Sequence, residues 1–316
     1  IFHQTTGSFF GMAAVALQRQ PPVLFPAAPA CNAPRGRPAQ PSRLARAGVI
    51  SAIHVLSLRG RRSRAAPKQA AVGESIYPKT WSNPSGAVLL ELQPDLWVAE
   101  RPFVWNNIDV GGKMAVIRLT DGSLWVHSPV SLDEPLRRAL EDLGPVKHIV
   151  SPNFEHVKWA QQWKEAFPSA ILWGTPGMME KFPTIPFDRE LSTSSVCPPE
   201  WQGQLQMCFC DCERTPLLGT PFFNEVVFYH GKSETLMTTD IFWSYPSDLP
   251  SGSKLWKFAM DKIYLPFYRR FMVRSQASLK EVLDTVDKWQ PKGLLPCHGK
   301  YQASGASETF AEHFSS

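Results

Sequence analysis

The stretch HIVSPNFEHVKW, residues 148–159, decides the fold, because it runs from a strand through a polar loop into a helix. The β-branched residues of "HIVS" predict a buried strand, and the apolar spacing from "VKW" onward predicts an amphipathic helix. Between them the chain places Asn153, Glu155 and His156. In open α/β sheets, functional sites are built at strand ends of this kind. The stretch therefore predicts an α/β fold and a first candidate site.

Predicted strands and helices alternate outward from this stretch in both directions. "TDG" at 120–122 predicts a tight hairpin, and six prolines make residues 183–224 a predicted loop-rich region. Strands before the first helix, then strand–helix units and a second hairpin, predict a four-layer αββα sandwich. A doubly wound sheet also fits, but Gly111-Gly112 lacks the third glycine and the following helix of a dinucleotide loop. Predicted strands lie at 87–92, 96–101, 114–119, 123–128, 146–151, 170–174, 225–230, 235–240 and 293–299, and predicted helices at 132–144, 157–167, 176–182, 278–289 (with Ser278 as N-cap) and from Ser307.

The N-terminal residues differ in composition from the rest of the chain. Residues 1–70 hold ten of the 33 basic residues and no Asp or Glu, so the remainder carries a formal charge of −5. The overall charge of +5 is therefore no indication of a nucleic-acid-binding surface on the folded part. An Arg-rich, acid-free leader is typical of organelle transit peptides, with a retained basic arm as the alternative. We expect a disordered transit peptide over residues 1–73 and one folded domain over 74–316.

Cysteine usage indicates a reducing compartment. Beyond Cys31 the chain has five cysteines, an odd number without the spacing of a secreted disulfide framework. Cys208, Cys210 and Cys212 alternate with other residues, so on a strand their thiols would share one face. Such a row could bind a soft metal or form disulfides, with Cys197 as a nearby fourth thiol. A row of small buried hydrophobic residues, or of exposed thiols, is the favoured interpretation.

Further polar residues stand where other predicted strands end. Asp240 closes "TLMTTD", and His298 follows "LLPC" and precedes a glycine. His230 ends the strand "VVFYH" and could line the same cleft as Asp240, although a hydrogen-bonded core histidine is the commoner case. The same interpretation applies to His127.

These motifs, in this order, resemble a known family. Strand-then-polar-loop, strand-ending Asp and strand-ending His-Gly follow one another as in the metallo-β-lactamase superfamily. More closely, "SLWVHSPV", "GPVKHIVSPN", "EVVFYH…TLMTTDIF" and "LPCHGK" are similar to an uncharacterised domain family of photosynthetic organisms and bacteria, itself related to that superfamily. The resemblance covers roughly residues 86–300 and implies a single metallo-β-lactamase-like αββα domain after the leader. With the Ser/Pro/Ala-rich leader, it favours a plastid (chloroplast) over a mitochondrion as the location.

The chain departs from the superfamily at most metal-ligand positions. The superfamily's main metal loop reads Thr-His-x-His-x-Asp-His, and it falls on residues 151–157 of this chain. The first two histidines become Pro152 and Phe154. The aspartate becomes His156 and the last histidine becomes Val157. The resemblance therefore implies a degenerate metal site.

Three candidate ligands remain. The resemblance implies Asp240 as the bridging aspartate and His298 as the final histidine, and His156 adds a third ligand. A dinuclear zinc site needs about five to seven ligands, whereas three could hold a single Zn or Fe ion and leave a position for water. Structural hydrogen bonds at strand ends are the alternative, and the sequence favours them, so no bound cofactor is the first expectation.

Two functions remain in competition, and whether the chain is an enzyme stays open. The first is a non-catalytic binding or assembly protein in a plastid, with a protein partner. The second is a divergent mononuclear metal-dependent hydrolase. It requires His156, Asp240 and His298 to converge close enough to bind one metal ion, with a path for solvent to reach them. The binding protein predicts that they lie apart, or are buried and hydrogen-bonded. A redox or metal-handling protein built on the three cysteines ranks last.

The segment KLWKFAMDKIYLPFYRRFMVR, residues 254–274, combines six basic residues and one acidic residue with six aromatic residues. Interleaved aromatics and cations suit an anionic membrane surface or a partner protein. They also suit a core helix whose cations extend to solvent. The core or partner-facing interpretation is favoured, with peripheral membrane contact as the alternative. No transmembrane segment and no nucleic-acid partner are expected.

Overall fold

The computed structural model describes residues 75–315, in which two β-sheets pack face to face and carry helices on their outer faces. The transit peptide predicted over residues 1–73 lies outside the described residues. The strands are β1 (Leu90–Gln93), β2 (Leu96–Arg101), β3 (Val104–Trp105), β4 (Ile108–Asp109), β5 (Gly112–Arg118), β6 (Leu124–His127), β7 (Val146–Ser151), β8 (Ile171–Gly174), β9 (Arg189–Glu190), β10 (Leu205–Phe209), β11 (Val226–His230), β12 (Thr235–Thr238) and β13 (Gly293–Pro296).

The helices follow the predicted order. A 3₁₀ turn lies at Pro199–Trp201, and π-helical turns at Met260–Tyr264 and Tyr268–Met272 interrupt one long helical stretch. The α-helices are α1 (Glu134–Leu143), α2 (Ala160–Ala166), α3 (Met178–Lys181), α4 (Ser251–Ala259), α5 (Leu265–Phe267), α6 (Gln276–Trp289) and α7 (Ala306–Phe314). Among the described residues, no helix combines the length and the apolar character that crossing a bilayer requires.

The first sheet has seven strands in the order β1-β2-β5-β6-β7-β8-β9. Its first half is an antiparallel meander, in which β5 and β6 are joined by the predicted "TDG" hairpin, with Gly122 at a φ of +83°. From β6 to β9 the neighbours are parallel, because α1, α2 and α3 carry the chain back between them. All carboxyl ends of these parallel strands therefore meet at one edge.

The second sheet has the order β10-β11-β12-β13. The hairpin β11–β12 is antiparallel, and β13 returns parallel to β12 after the long helical stretch and α6. The two sheets pack through one apolar layer, and the helices cover their outer faces, so the predicted αββα sandwich is confirmed. The layer between the sheets includes Leu96, Val98, Trp125, Trp173, Trp201, Met207, Phe228, Met237 and Leu295.

Local chemistry explains where the elements begin and end. Asp133 accepts a hydrogen bond from the N–H of Leu136 as N-cap of α1, and the helix ends at Gly144. For α6 the N-cap is Ser275, whose hydroxyl accepts from the N–H of Ser278, so the prediction of Ser278 as cap was three residues late. The Pro-rich region 183–224 also contains the short strands β9 and β10.

Candidate metal centre

Polar side chains from both sheets meet at the edge where β7, β12 and β13 end. Asp240 follows β12 and His298 follows β13, and these strands are hydrogen-bonded in parallel, so the two residues leave the sheet side by side. His156 comes from the loop after β7 in the other sheet. Backbone hydrogen bonds of 2.8 Å from Val226 N to Pro152 O, and 2.9 Å from Phe154 N to Phe223 O, hold that loop against the second sheet.

The three side chains converge on Asp240. The Nε2 atom of His156 lies 3.0 Å from Oδ2 of Asp240, and the Nε2 atom of His298 lies 3.3 Å from Oδ1. One ligand atom from each residue lies within 4.8 Å of the other two, and no other group of three such residues was found within residues 75–315. The side chains expose 13% to 17% of their surface, so solvent reaches the group. We call His156, Asp240 and His298 the Asp240 cluster.

A second layer of hydrogen bonds orients each member of the Asp240 cluster. Nδ1 of His298 donates to the carbonyl oxygen of Gly111 at 2.7 Å, which directs its Nε2 atom toward Asp240. Nδ1 of His156 is hydrogen-bonded to the hydroxyl of Ser128. The side-chain amide of Asn153 donates to Oδ2 of Asp240 at 2.7 Å. Such outer partners fix ring orientation and tautomer in metal sites.

Glu225, just before β11, holds the backbone that presents Asp240. Its buried carboxylate accepts hydrogen bonds from the backbone N–H groups of Thr239, Asp240 and Ile241 at 2.7 to 3.0 Å. It also accepts a bond from the amide of Asn153 at 3.1 Å. Sequence reasoning missed this role, although a glutamate directly before the apolar run "VVFYH" was the signal.

The glycine after His298 is required by the close approach of another chain segment. Gly299 has a φ of +109°, and a Cβ atom there would lie 2.0 Å from the backbone oxygen of Ser244. The buried ammonium of Lys113 donates to the carbonyl oxygen of Gly299 and pairs with Glu100 at 3.3 Å. The loop that carries His298 is therefore held from both sides.

The electrostatic interactions in the Asp240 cluster favour an ionised Asp240 carboxylate and a protonated His298 imidazole. Burial alone would raise the pKa of Asp240, but the charges and hydrogen bonds of His156 and His298 outweigh it and hold this pKa well below its usual range. Burial likewise disfavours a charged His298, yet the hydrogen bond and charge of Asp240 raise its pKa. Without a cation, a second proton on the His298 imidazole balances the carboxylate.

The arrangement fits a single metal ion. Two ligands bound at about 2.0–2.1 Å in a tetrahedral site lie roughly 3.3 Å apart, close to the separations in the Asp240 cluster. Because a backbone carbonyl only accepts hydrogen bonds, it keeps the proton of a neutral His298 on Nδ1 and leaves the Nε2 lone pair facing the Asp240 oxygen. A cation or a second proton relieves this repulsion. The donor set and its supports therefore suit a transition metal.

Ser128, His156 and Asp240 also form a hydroxyl–imidazole–carboxylate chain, the order found in serine hydrolases. Ser128 has a left-handed backbone (φ +54°) at the end of β6. Its side chain is buried, with 3% of its surface exposed, so a substrate cannot reach the hydroxyl. We therefore assign Ser128 to positioning His156.

The remaining predicted residues divide between the site and the core. Asn153 belongs to the hydrogen-bond network, and Glu155 lies exposed beside it, its amide N–H bonded to Asn153. The structure does not bring His230 to this cleft. It lies at the opposite end of β11, with Nδ1 bonded to Ser233 at 2.8 Å, because β11 runs antiparallel to β12. His127 stacks on Trp125 between the sheets, where burial lowers its pKa to about 3.

Cys208 lies in β10, whereas Cys210 and Cys212 follow the end of that strand; all three, which we call the cysteine row, lie in one apolar cluster on the outer side of the second sheet. All three are buried among apolar residues beneath the helices and are free thiols. Cys197 packs with the layer on the other side of the sheet, so it does not join them. Within residues 75–315 the cysteine row forms no group of ligands close enough for a metal.

Comparison with known structures identifies this architecture. The chain is similar to the DIM-1 metallo-β-lactamase in a crystal exposed to ceftazidime, at 14% identity and a TM-score of 0.51, covering 72% of this chain and 95% of that one. It is also similar to TMB-1, a protein studied for substrate and inhibitor binding, at 11% identity and a TM-score of 0.50, covering 72% and 94%. At these identities the likeness shows the fold alone.

The sequence itself gives the family. No curated protein matches the chain. Residues 94–265, just over half of it, match the family described as "Domain of unknown function (DUF4336)". The matched residues include His156 and Asp240, and His298 lies beyond them. This chain therefore belongs to the DUF4336 family, and its fold is that of the metallo-β-lactamases.

Proposed function

We propose that this chain is a metal-dependent hydrolase that binds one transition-metal ion through the Asp240 cluster. The proposal is carried by the convergence of two imidazole nitrogens and one carboxylate oxygen at a solvent-accessible sheet edge. Three protein ligands leave one coordination position for water or substrate, which is typical of catalytic zinc sites. Two histidines and one carboxylate also suit iron(II).

When bound, the ion would act as a Lewis acid and bring the pKa of a water molecule toward neutrality. The chain's own residues would orient and balance the site. Gly111 and Ser128 direct the Nε2 atoms of His298 and His156, both of which must be unprotonated to bind a metal. Glu155 is the exposed carboxyl group beside the cluster, available to exchange a proton with a substrate.

The binding-protein hypothesis predicts that the three side chains lie apart, or are buried and hydrogen-bonded; they are hydrogen-bonded to one another, but they converge within metal-bonding reach and keep 13% to 17% of their surface exposed. Their convergence and partial exposure favour the hydrolase. A network of ion pairs that serves only stability would be stronger if it were fully enclosed, because water weakens the attraction between the charges. The arrangement instead supports a site that binds a ligand.

The test is the metal content of the full chain, measured by mass spectrometry after purification and again after loading with zinc or iron(II). We expect about one ion per wild-type chain. The double variant Asp240→Ala/His298→Ala should lose it. The control is Asp248→Ala/His230→Gln, which changes an exposed aspartate and the histidine at the far end of β11 and should keep the metal.

Hydrolysis is tested on the same three proteins with chromogenic ester, phosphodiester and lactam substrates. Turnover by the metal-loaded wild type and by the control, but not by the Asp240→Ala/His298→Ala variant, supports the hydrolase. A folded wild-type chain that takes up no stoichiometric metal would overturn the proposal and return the function to a binding or assembly protein.

We further propose import into a plastid, supported by the acid-free, Arg-rich composition of residues 1–73. Residues 1–73 fused to a fluorescent protein should direct it to plastids in plant cells. A diffuse or mitochondrial signal would refute this location.

A further inference from the structure

The helical stretch from α4 through the second π turn, residues 251–272, presents an apolar face to solvent. Four large apolar side chains on it, Leu255, Phe258, Ile263 and Phe271, expose between 45% and 67% of their surface. Soluble proteins seldom expose so many large apolar side chains on one element unless they bind something there. We call these four residues the apolar stripe.

The π turns keep the apolar stripe in line. Leu255, Ile263 and Phe271 are spaced eight residues apart. On a regular α-helix this spacing turns each residue about 80° away from the previous one, since each turn takes 3.6 residues. The wider turns at Met260–Tyr264 and Tyr268–Met272 take more residues per turn and cancel that drift. A straight row of apolar side chains results along about four turns.

The opposite side of this stretch is anchored, so the exposure of the stripe is a fixed feature of the fold. Tyr268 and Met272 are buried in the core beneath the second sheet. The ring of Tyr264 packs 5.9 Å from Trp243, whose indole N–H donates to Asp261 at 3.0 Å. Of the favoured interpretation of this segment, core or partner-facing, the core part therefore applies to this inner side.

Cations flank the apolar stripe. Lys254, Lys262, Arg270 and Arg274 are exposed. In the part of the chain that the structure describes, none of these four forms an ion pair, whereas Lys257 is paired with Asp261. Unpaired cations beside an apolar row leave the surface with positive charge as well as apolar area.

A loop between β10 and β11 extends this surface at its C-terminal end. Leu217 and Leu218 at its tip expose 97% and 81% of their surface. The guanidinium of Arg274 donates to the carbonyl oxygen of Pro216 at 3.3 Å, and the N–H of Arg214 donates to the carbonyl of Met272 at 2.8 Å. Two further apolar side chains therefore lie next to the end of the apolar stripe.

We propose that the apolar stripe, its flanking cations and the Leu217–Leu218 loop form a docking surface for an anionic lipid bilayer. A helix with an apolar row and basic flanks lies in the plane of a membrane, with its apolar side chains among the acyl chains and its cations at the headgroups. Each exposed cation near an anionic leaflet adds attraction. The one carboxylate of residues 251–272, on Asp261, is paired with Lys257 and therefore does not neutralise the four flanking cations.

The test uses the full chain with vesicles of phosphatidylcholine alone or mixed equally with phosphatidylglycerol. Co-sedimentation measures binding, and hydrogen–deuterium exchange with mass spectrometry locates it. The second measurement is needed because the basic residues 1–70 can themselves attract anionic lipid. We expect binding at least about tenfold tighter to the anionic vesicles. Vesicles should protect residues 254–274 from exchange, while α6 stays unchanged.

Two variants and a control distinguish the contribution of apolar side chains inserted into the bilayer from that of charge attraction to the headgroups. The triple variant Leu255→Ser/Ile263→Ser/Phe271→Ser should weaken binding at least about tenfold and remove the protection. The pair Lys262→Glu/Arg270→Glu should reduce the protection of residues 254–274 on anionic vesicles to the level seen with phosphatidylcholine alone. Lys79→Glu/Lys288→Glu changes the net charge equally at exposed positions elsewhere and should leave the protection of 254–274 intact.

Three outcomes would overturn the proposal. The first is unchanged exchange at residues 254–274 in the presence of vesicles, with only the leader protected. The second is a triple-serine variant whose residues 254–274 are protected as in the wild type. The third is protection that grows with protein concentration without vesicles, because a second copy of this chain would then occupy the surface.

Discussion

The Asp240 cluster and the cysteine row both gather residue types that bind metals, but their surroundings are opposite. Each donor of the Asp240 cluster has a partner behind it, in Gly111, Ser128 and Asn153. The cysteine row lies among apolar side chains, where burial raises the pKa of Cys212 to about 12 and that of Cys210 well above its usual value. A thiol binds metal as the thiolate, which this environment disfavours.

The surroundings of ligand residues, more than their number, decide whether a metal site can form. Three cysteines within five residues are easy to notice, yet burial outweighs the hydrogen bonds around them and disfavours a thiolate. The Asp240 cluster draws its members from three separate strands. The hydrogen bonds that orient them come from further residues still.

Each region also contains a buried glutamate, and these give the two largest expected effects. Glu225 beside the Asp240 cluster accepts four hydrogen bonds. Glu225→Ala leaves the three backbone N–H groups of residues 239–241 without their acceptor and removes one of the bonds of the Asn153 amide, so it should lower the free energy of unfolding by about 3–5 kcal/mol. Urea denaturation measures it. If Glu225→Ala does not fold, the same measurement is made on Glu225→Gln, for which we expect a smaller loss of unfolding free energy. A loss below about 1 kcal/mol in either variant would show that water replaces these bonds.

Glu213 follows the cysteine row and should make stability depend on pH. Burial raises its pKa from 4.5 to about 7, although its Oε1 atom accepts bonds from the N–H groups of Phe223 and Asn224. In the unfolded chain the carboxyl loses its proton first, so the folded state binds more protons between these two pKa values. Stability from this residue is therefore present at low pH and lost as pH rises toward 7, by up to about 3 kcal/mol.

Glu213→Gln keeps the acceptor oxygen and cannot ionise, so it should remove that loss. We expect the variant to gain stability over the wild type at about pH 8 and little at about pH 4. Urea unfolding at both pH values checks this. An equal difference at both would mean that Glu213 does not titrate in this range.

The smaller effects concern how the Asp240 cluster is oriented. Ser128→Ala removes the hydroxyl behind His156 and should weaken metal binding by about 10- to 100-fold, the usual effect of losing an outer hydrogen bond. Ser128→Gly should do the same while suiting the left-handed backbone better. Ser233→Ala is the matched control, since that hydroxyl bonds His230 away from the cluster. Calorimetric titration with zinc measures all three, and equal affinities would remove Ser128 from the site.

Much of this fold was predictable because local patterns specify it. The strands at 96–101 and 146–151 have the predicted bounds, and the helix after "LDEP" begins at an Asp cap and ends at a glycine. Apolar alternation and capping act over a few residues, so the sequence carries them directly. The π turns in residues 251–272 were not predicted, because the segment has the apolar content of an ordinary helix.

The three candidate ligand residues could be predicted from the sequence, but the hydrogen bonds that orient them could not. Asp240, His156 and His298 stand at strand ends, which a single sequence reveals. Whether they meet depends on pairing between β12 and β13, which lie more than fifty residues apart, and on the packing of two sheets. In the sequence a strand end looks alike at either edge of a sheet, so His230 was also a candidate for this cleft, although the favoured interpretation was a hydrogen-bonded core histidine, as it is.

The smallest expected effect comes from the cysteine row itself. Cys210→Ala removes one buried sulfur from the apolar layer and should cost about 1–2 kcal/mol of unfolding free energy, with the metal content unchanged. In the native wild type, Cys208, Cys210 and Cys212 should resist alkylation and react only after denaturation, because burial keeps them as thiols. Mass spectrometry after a short iodoacetamide pulse checks this. Rapid native labelling of the row, or metal lost in Cys210→Ala, would break the contrast between the two regions and return the thiols to the list of candidate ligands.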